Sequence, residues 1–343
     1  MNKKKLIRYV FLGIVAAGIF MVFKIIGPTT RKPQKDFLYI KTGSTLQSVK
    51  QQLLDEKILS SLTGFNITEK YLKIKTVKPG KYRVPQGMSV LNLVRMIRNG
   101  SQIPVNFVVT KIRTKEQLAA KLGKAFEFDS LTAIQFLSNN DSLQSYNLDS
   151  NTVMAAVLPL TYEQNWATTP RNIFEKFSKA YNNYWTEERK QKATAIGLTP
   201  IQVTTIASII DEETNASKEK ATIASVYLNR LQKGMPLQAD PTVKFALKDF
   251  SIKRVLNVHL QTNSPYNTYR NKGLPPGPIC TPMEETIEAV LNAPKTDYIY
   301  FVASTAFDGT HMFTTNYADH LILAKAYQAA LDEKYGKNKT APK

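Results

Sequence analysis

The chain is poor in the residues that cross-link proteins or hold metals. One cysteine, Cys280, in 343 residues excludes an intramolecular disulfide. The three histidines, His259, His311 and His320, stand at no metal-ligand spacing, and Cys280 is near none of them in sequence. Neither a metal nor another cofactor is expected. Negative charge is scarce as well, with 27 Asp and Glu against 46 Lys and Arg, a balance of +19. Such a surplus favours anionic partners: nucleic acid, lipid headgroups or an acidic polymer. The lysines are scattered, and no zinc-finger or RNA-binding signature accompanies them, which argues against nucleic acid. There is no internal repeat and no long low-complexity tract.

A long apolar run occurs at the N-terminus. Lys3, Lys4, Lys5 and Arg8 precede an uncharged stretch from Tyr9 to Phe23, and Lys24-Ile-Ile extends it to Ile26 before Gly27-Pro28. With Lys24 snorkelling, the run reaches the roughly 17–25 residues that span a bilayer. A cleaved signal peptide is the other reading, but no small-x-small site follows Phe23 and no cysteine is available for lipidation. An uncleaved single-pass anchor over 9–26 is expected, with a tail over 1–8. Arg31, Lys32 and Lys35 nearly balance the N-terminal cations, so charge alone does not orient the span.

Beyond the anchor, 343 residues leave room for two or three domains. Residues 27–35 are basic and contain proline, as a juxtamembrane linker does. Phe37–Lys41 reads as a strand and Leu46–Leu54 as a helix entered through Ser44-Thr45. Pro79–Val84 reads as a turn feeding a strand, and Val90–Ile97 as a helix stopping near Asn99-Gly100. This strand–helix–strand–helix module covers 36–104. A larger part follows over 105–337, opening with a strand at Val105–Val109 and continuing into helices, among them the amphipathic Phe174–Tyr181. Leu158–Tyr162 reads as an ordinary loop. Residues 338–343 are expected to be a disordered tail. The fold class is α+β.

The segment Ile206-Ala-Ser-Ile-Ile-Asp-Glu-Glu-Thr214 carries the chemistry. Thr199-Pro200 starts its helix, a capping hydroxyl before proline at the first helical position. At about 100° per residue, Glu213 lies within about 60° of Gln202, Ile206, Ile209 and Ile210. Asp211 turns away by about 160° and Glu212 by about 100°, so both should see more water. A carboxyl on an apolar stripe keeps its proton, as a general acid near neutral pH requires. A partly exposed acidic helix end is the plainer reading, since buried carboxylates are rare.

Several blocks follow in order: Ala224-Ser-Val-Tyr-Leu-Asn-Arg-Leu231, Gly234–Val243, Pro265-Tyr-Asn-Thr-Tyr269, Gly273-Leu-Pro-Pro-Gly-Pro-Ile279, Tyr298–Val302 and His311-Met-Phe-Thr-Thr-Asn316. In order and spacing they resemble the endolytic murein transglycosylase family, MltG or YceG-like, over roughly Asp36 to Tyr335. The resemblance implies that Glu213, the last acid of the Ala-Ser-Ile-x-x-x-Glu helix, is catalytic; Asp211 stands where many members carry glutamate. It implies a small LysM-like α/β module over 36–104 and a mixed α+β catalytic domain over 105–337. It also implies an N-terminus inside and a bulk domain outside the cytoplasmic (inner) membrane. The implied substrates are nascent peptidoglycan strands, with the cell-wall synthesis proteins as partners. Thr110-Lys-Ile-Arg113 stands where members usually show a Glu-Gly pair.

Glycoside hydrolysis needs two carboxyl groups. A lytic transglycosylase works with one, because the muramyl C6 hydroxyl attacks C1 of its own ring and leaves a 1,6-anhydro end. Substrate-binding candidates are Asn229, Arg230, Gln238, Asp240, Tyr266, Asn267, Tyr269 and His311. Gln238 offers sugar a donor and an acceptor. Asp240 reads either as a second carboxylate for the sugar ring or as a cap for the turn before Pro241. Arg230 reads either as a cleft residue or as a surface cation at a helix C-terminus. Asn229 reads as a cleft residue beside Glu213. Tyr266, Asn267 and Tyr269 place aromatic and amide groups in one polar loop, and His311 opens a strand. A hydrolase using Asp240 or Asp211 to activate water, and a non-catalytic wall-binding scaffold, are the rival functions.

Overall fold

The computed structural model describes residues 3–336. The expected tail at 338–343 lies outside the described residues. The first helix, α1 (Lys3–Ile26), buries none of its residues in protein, and its apolar window has a mean hydropathy of 2.3. Only its last turns touch the rest of the protein, and its apolar stretch is long enough to cross a membrane. The tail expected over 1–8 is helical from Lys3 onward.

The chain divides into two compact units. The first takes the residues up to Phe107 together with Ala125–Phe128 and Glu163–Thr169; the second takes Val108–Lys124, Asp129–Tyr162 and the chain from Pro170. In the first unit, α1 is followed by β1 (Leu38–Ile40), α2 (Leu46–Asp55), α3 (Thr63–Leu72), β2 (Gly80–Tyr82) and α4 (Val90–Asn99). β1 and β2 pair antiparallel, Leu38 opposite Tyr82 and Ile40 opposite Gly80. Leu38, Ile40, Val49, Leu53, Phe65, Tyr82, Leu93 and Ile97 form the core under them. Thr45 caps α2 and Ser89 caps α4, each accepting from the third residue on, and Gly100 ends α4 with φ 75°. The module thus has two helices between its strands, where the sequence pattern suggests one. α3 is rich in Gly, Asn and Thr, lacks a side-chain cap and ends in a left-handed lysine, so only its buried face holds it.

Residues read as a juxtamembrane linker are hydrogen-bonded into the module. Thr30 N–H donates to Met88 O (3.1 Å) and its hydroxyl to Pro85 O (2.9 Å), while Arg31 N–H donates to Ile58 O (2.9 Å). β3 (Val105–Val108) then leads out of the first unit.

Helices α5 (Lys115–Ala125), α6 (Ser130–Ser138) and α7 (Asn140–Gln144) come next, then a 3-10 turn at Val153–Ala156 and β4 (Thr161–Gln164). The stretch read as a loop at Leu158–Tyr162 therefore ends in a short strand. Then follow α8 (Pro170–Tyr184), α9 (Glu187–Ala195), α10 (Pro200–Glu213), α11 (Ser217–Gln232), α12 (Asp240–Leu247), α13 (Asn257–Leu260) and α14 (Glu284–Leu291). The chain closes with β5 (Tyr300–Ala303), β6 (His311–Thr314) and α15 (Tyr317–Tyr335). β5 and β6 form an antiparallel hairpin, Tyr300 opposite Thr314. α10 is the axis of the second unit: Val203, Ile206, Ala207, Ile209 and Ile210 share one core with Ile223, Tyr227, Ile287 and Val290.

Candidate active site

α10 begins as its sequence predicts. Thr199 and Gln202 make a reciprocal capping box, with Pro200 at the first helical position. Its polar residues survive burial because each finds a partner. Thr204 and Thr205 donate to the carbonyls four residues back, and the Ser208 hydroxyl donates to Thr205 O and accepts from Ile279 N–H at 2.9 Å.

Every residue from Val203 to Asp211 is buried. The stripe geometry therefore fails at Asp211, which is 6% exposed rather than wet. The reason is tertiary: other helices pack against α10 on several sides, so no face of its middle is left for solvent. Asp211 accepts from Lys220 Nζ (2.9 Å), the Thr286 hydroxyl (2.5 Å) and Met283 N–H (2.6 Å). Lys220, itself buried, also donates to Glu285 (2.6 Å). Burial pulls the Lys220 ammonium down, but its bonds to Glu285 and Asp211 outweigh that and hold it above its ordinary value.

Glu212 faces the other way and is clamped by cations. Arg113 holds it bidentately at 3.0 and 2.9 Å, and Lys111 stands at 3.1 Å. Both lie in the Thr110-Lys-Ile-Arg113 stretch that follows β3. Glu213, the last residue of α10, is half-buried and accepts from the Tyr227 hydroxyl of α11 at 2.8 Å. Burial, and then the Glu213 charge, push the Tyr227 phenol well above its ordinary value, so it remains a donor. Three successive carboxyl groups thus occupy three environments: a buried ion-pair network, an arginine clamp and a tyrosine hydroxyl.

Four of the expected binding residues gather near Glu213. The Tyr269 hydroxyl donates to Asp240 (2.6 Å), and its phenol is raised by burial first, then by the charges of Asp240 and Glu213. Arg230 is 6% exposed, so it is not a surface cation. It donates to Pro236 O (2.9 Å), Ile299 O (3.0 Å) and the Gln238 carboxamide, and its guanidinium lies 5.4 Å from the Tyr300 ring centre. Gln238 is exposed and held at φ 54°. Asp240 opens α12 but does not cap it; Ala239 is the N-cap residue, and the Asp240 carboxylate takes Tyr269 instead.

The other four serve the framework. Asn229 donates to the Thr296 and Tyr298 carbonyls, tying α11 to the approach of β5. Asn267 is fully buried, its amide donating to Leu260 O and Thr262 O and its carbonyl accepting from Tyr269 N–H, so its polar groups face its own loop. Tyr266 packs on Phe245 at 4.7 Å between ring centres. His311 meets Glu219 through its backbone N–H (2.7 Å) and Nδ1 (3.0 Å). Tyr227, fourteen residues after Glu213 in the Ala224–Leu231 block, carries no local signal that marks it as a site residue. The Leu274-Pro-Pro276 run forms one wall of a cleft of about 500 Å3 along α10, facing Gln202 and Thr205.

A family model described as the YceG-like family matches residues 38–326. The chain is 29% identical to the endolytic murein transglycosylase of Bacillus subtilis, over 94% of this chain and 93% of that protein. It is 26% identical to the endolytic murein transglycosylase of Streptococcus pneumoniae over 91% of its own length, and spans 62% of that longer relative. A crystal structure of a YceG-like protein from Listeria monocytogenes superposes with a TM-score of 0.57 at 26% identity, covering 84% of this chain and 99% of that one. The match spans most of the chain and includes every element of the site: this protein belongs to the YceG-like family.

Proposed function

We propose that this chain is an endolytic lytic transglycosylase that cuts the MurNAc–GlcNAc bond of peptidoglycan strands and leaves 1,6-anhydro-MurNAc ends. Its relatives named endolytic murein transglycosylases support the substrate. The observation that carries the residue assignment is the pairing of half-buried Glu213 with the neutral hydroxyl of Tyr227, while cations hold Asp211 and Glu212. Protonated Glu213 donates to the departing glycosidic oxygen. As the carboxylate it then takes the proton of the muramyl C6 hydroxyl, which closes on C1 of the same ring. Tyr227 orients the carboxyl and steadies its charged form in the second half of the cycle. Gln238, Asp240 and Tyr269 line the sugar site, with Arg230 holding Gln238 in place.

The residues over 36–104 act as a LysM-like module and those over 105–337 as the catalytic domain. α1 anchors the chain in the cytoplasmic membrane with its N-terminus inside. Nascent strands are then cut or terminated close to that membrane, where cell-wall synthesis proteins work.

Mass spectrometry of peptidoglycan digested by the full chain, beside its Glu213→Gln variant, tests this. Anhydro-ended fragments from the parent should fall by about 10²–10⁴-fold in the variant. Reducing muramyl ends would make the enzyme a hydrolase, and no cleavage by the parent would leave a wall-binding scaffold.

A further inference from the structure

Where α1 ends, a cleft of about 470 Å3 opens between its last turns and the module. One wall is apolar: Phe20 and Phe23 of α1 are 62% and 56% exposed. Lys24 of the same helix lies beside them, its ammonium 5.4 Å from the Phe20 ring centre, while the module side carries Arg31, Ser61 and Thr63; no carboxylate is among the described lining residues. The two walls are held together. A Cβ at Gly64 of α3 would stand 2.9 Å from Lys24 O, so the helices touch backbone to side, and the bonds of Thr30 and Arg31 fasten the connecting segment to the module. The cleft is therefore part of a fixed structure and not the gap beside a swinging tether.

Its depth follows from α1. If a span of about 17–25 residues fills the hydrocarbon, the water boundary falls near the end of α1, at Lys24 to Ile26. Phe20 and Phe23 then lie at acyl-chain depth, and Lys24 at the helix end, with Arg31, Ser61 and Thr63 of the module side, at headgroup depth. We infer that this cleft holds one anionic phospholipid, its phosphate between Lys24 and Arg31 and an acyl chain along Phe20 and Phe23. A zwitterionic headgroup carries the same phosphate, but it brings an ammonium into a cleft lined by two cations, which selects against it. A lipid bound there would set the height of the module above the bilayer. The inference rests on α1 remaining in the membrane as an anchor.

The test uses the full chain in nanodiscs of equal phosphatidylglycerol and phosphatidylcholine, extracted gently for native mass spectrometry. One retained phosphatidylglycerol per chain is expected. Replacing both Lys24→Gln and Arg31→Gln should weaken retention roughly thirty-fold, from the typical contribution of two cations near a lipid surface. A variant with Lys41→Gln and Lys75→Gln, which removes the same charge outside the cleft, should retain lipid as the parent does. Matching thermal unfolding of the variants excludes misfolding as the cause, and Arg31→Gln alone provides a milder second variant.

Equal retention of the two lipids by the parent, or unchanged retention in both cleft variants, overturns the proposal. So does displacement of the lipid by water-soluble glycerol 3-phosphate, which needs no acyl wall. Failure of the chain to enter nanodiscs overturns the anchor and the cleft together. Entry without lipid preference overturns the cleft alone.

Discussion

At the scale of single residues, the run Asp211-Glu212-Glu213 shows how little a residue's type says about its role. Asp211 and Glu212 are bound by lysine and arginine, whereas Glu213 meets a phenol donor. Removing that donor should affect chemistry more than folding. A hydrogen bond to a charged group is worth about 1.5–3 kcal/mol, so Tyr227→Phe should slow turnover by roughly 10- to 150-fold if the bond is felt in the transition state. The check is kcat on isolated strands with the melting temperature measured alongside. Unaltered turnover would reduce Tyr227 to a packing residue. Gly277 illustrates a second constraint, because a Cβ there would lie 2.1 Å from Asn151 O. Gly277→Ala should therefore cost about 1–3 kcal/mol by overpacking, read from the urea midpoint. Gly234→Ala meets nothing within 4 Å, and its penalty comes only from its φ of 64°.

At the scale of elements, α10, α11 and α14 are joined by the Asp211–Lys220–Glu285–Thr286 network. Lys220→Met leaves the Asp211 carboxylate buried without its cation and should cost about 3–5 kcal/mol. The pH dependence of that loss has a definite sign. The folded ammonium titrates above its unfolded value of about 10.4, so its contribution is complete below that pH and is lost as pH rises through the folded value. The Glu285 carboxyl is held low, first by its hydrogen bond from Lys220, so its share is present above about pH 4.3 and lost as pH falls through the folded value. Urea titrations should show the parent and Lys220→Met far apart at neutral pH and converging in strong alkali. A gap that stays constant into alkali would mean that packing, not the ion pair, carries the effect.

At the scale of the whole molecule, a net charge of +19 sits on a chain whose α1 is long and apolar enough to cross a membrane. If the charge serves a negatively charged wall, binding of the full chain in detergent to insoluble peptidoglycan should weaken several-fold as salt rises. The Debye length shrinks from about 10 Å at 0.1 M to about 3 Å at 1 M, which screens exposed cations. Salt-independent co-sedimentation would instead assign binding to specific sugar contacts.

The strong local signals in this chain were those that depend on neighbours in sequence. Thr199-Pro200, Ser44-Thr45 and Asn99-Gly100 mark helix ends because a cap is satisfied within three or four residues. The apolar run of α1 is legible because a membrane helix needs nothing but itself. α3 was not legible, since its sequence forms poor helix and only the module's core supports it. The same limit applied at the site. Sequence spacing singled out Glu213 at the end of α10, but it could not show that Asp211 is buried, that Arg113 reaches across 99 residues to Glu212, or that Asn267 turns its amide into its own loop. Periodicity assumes one wet face and one dry face. When other helices surround α10, partners from distant segments decide what each of its carboxyl groups meets.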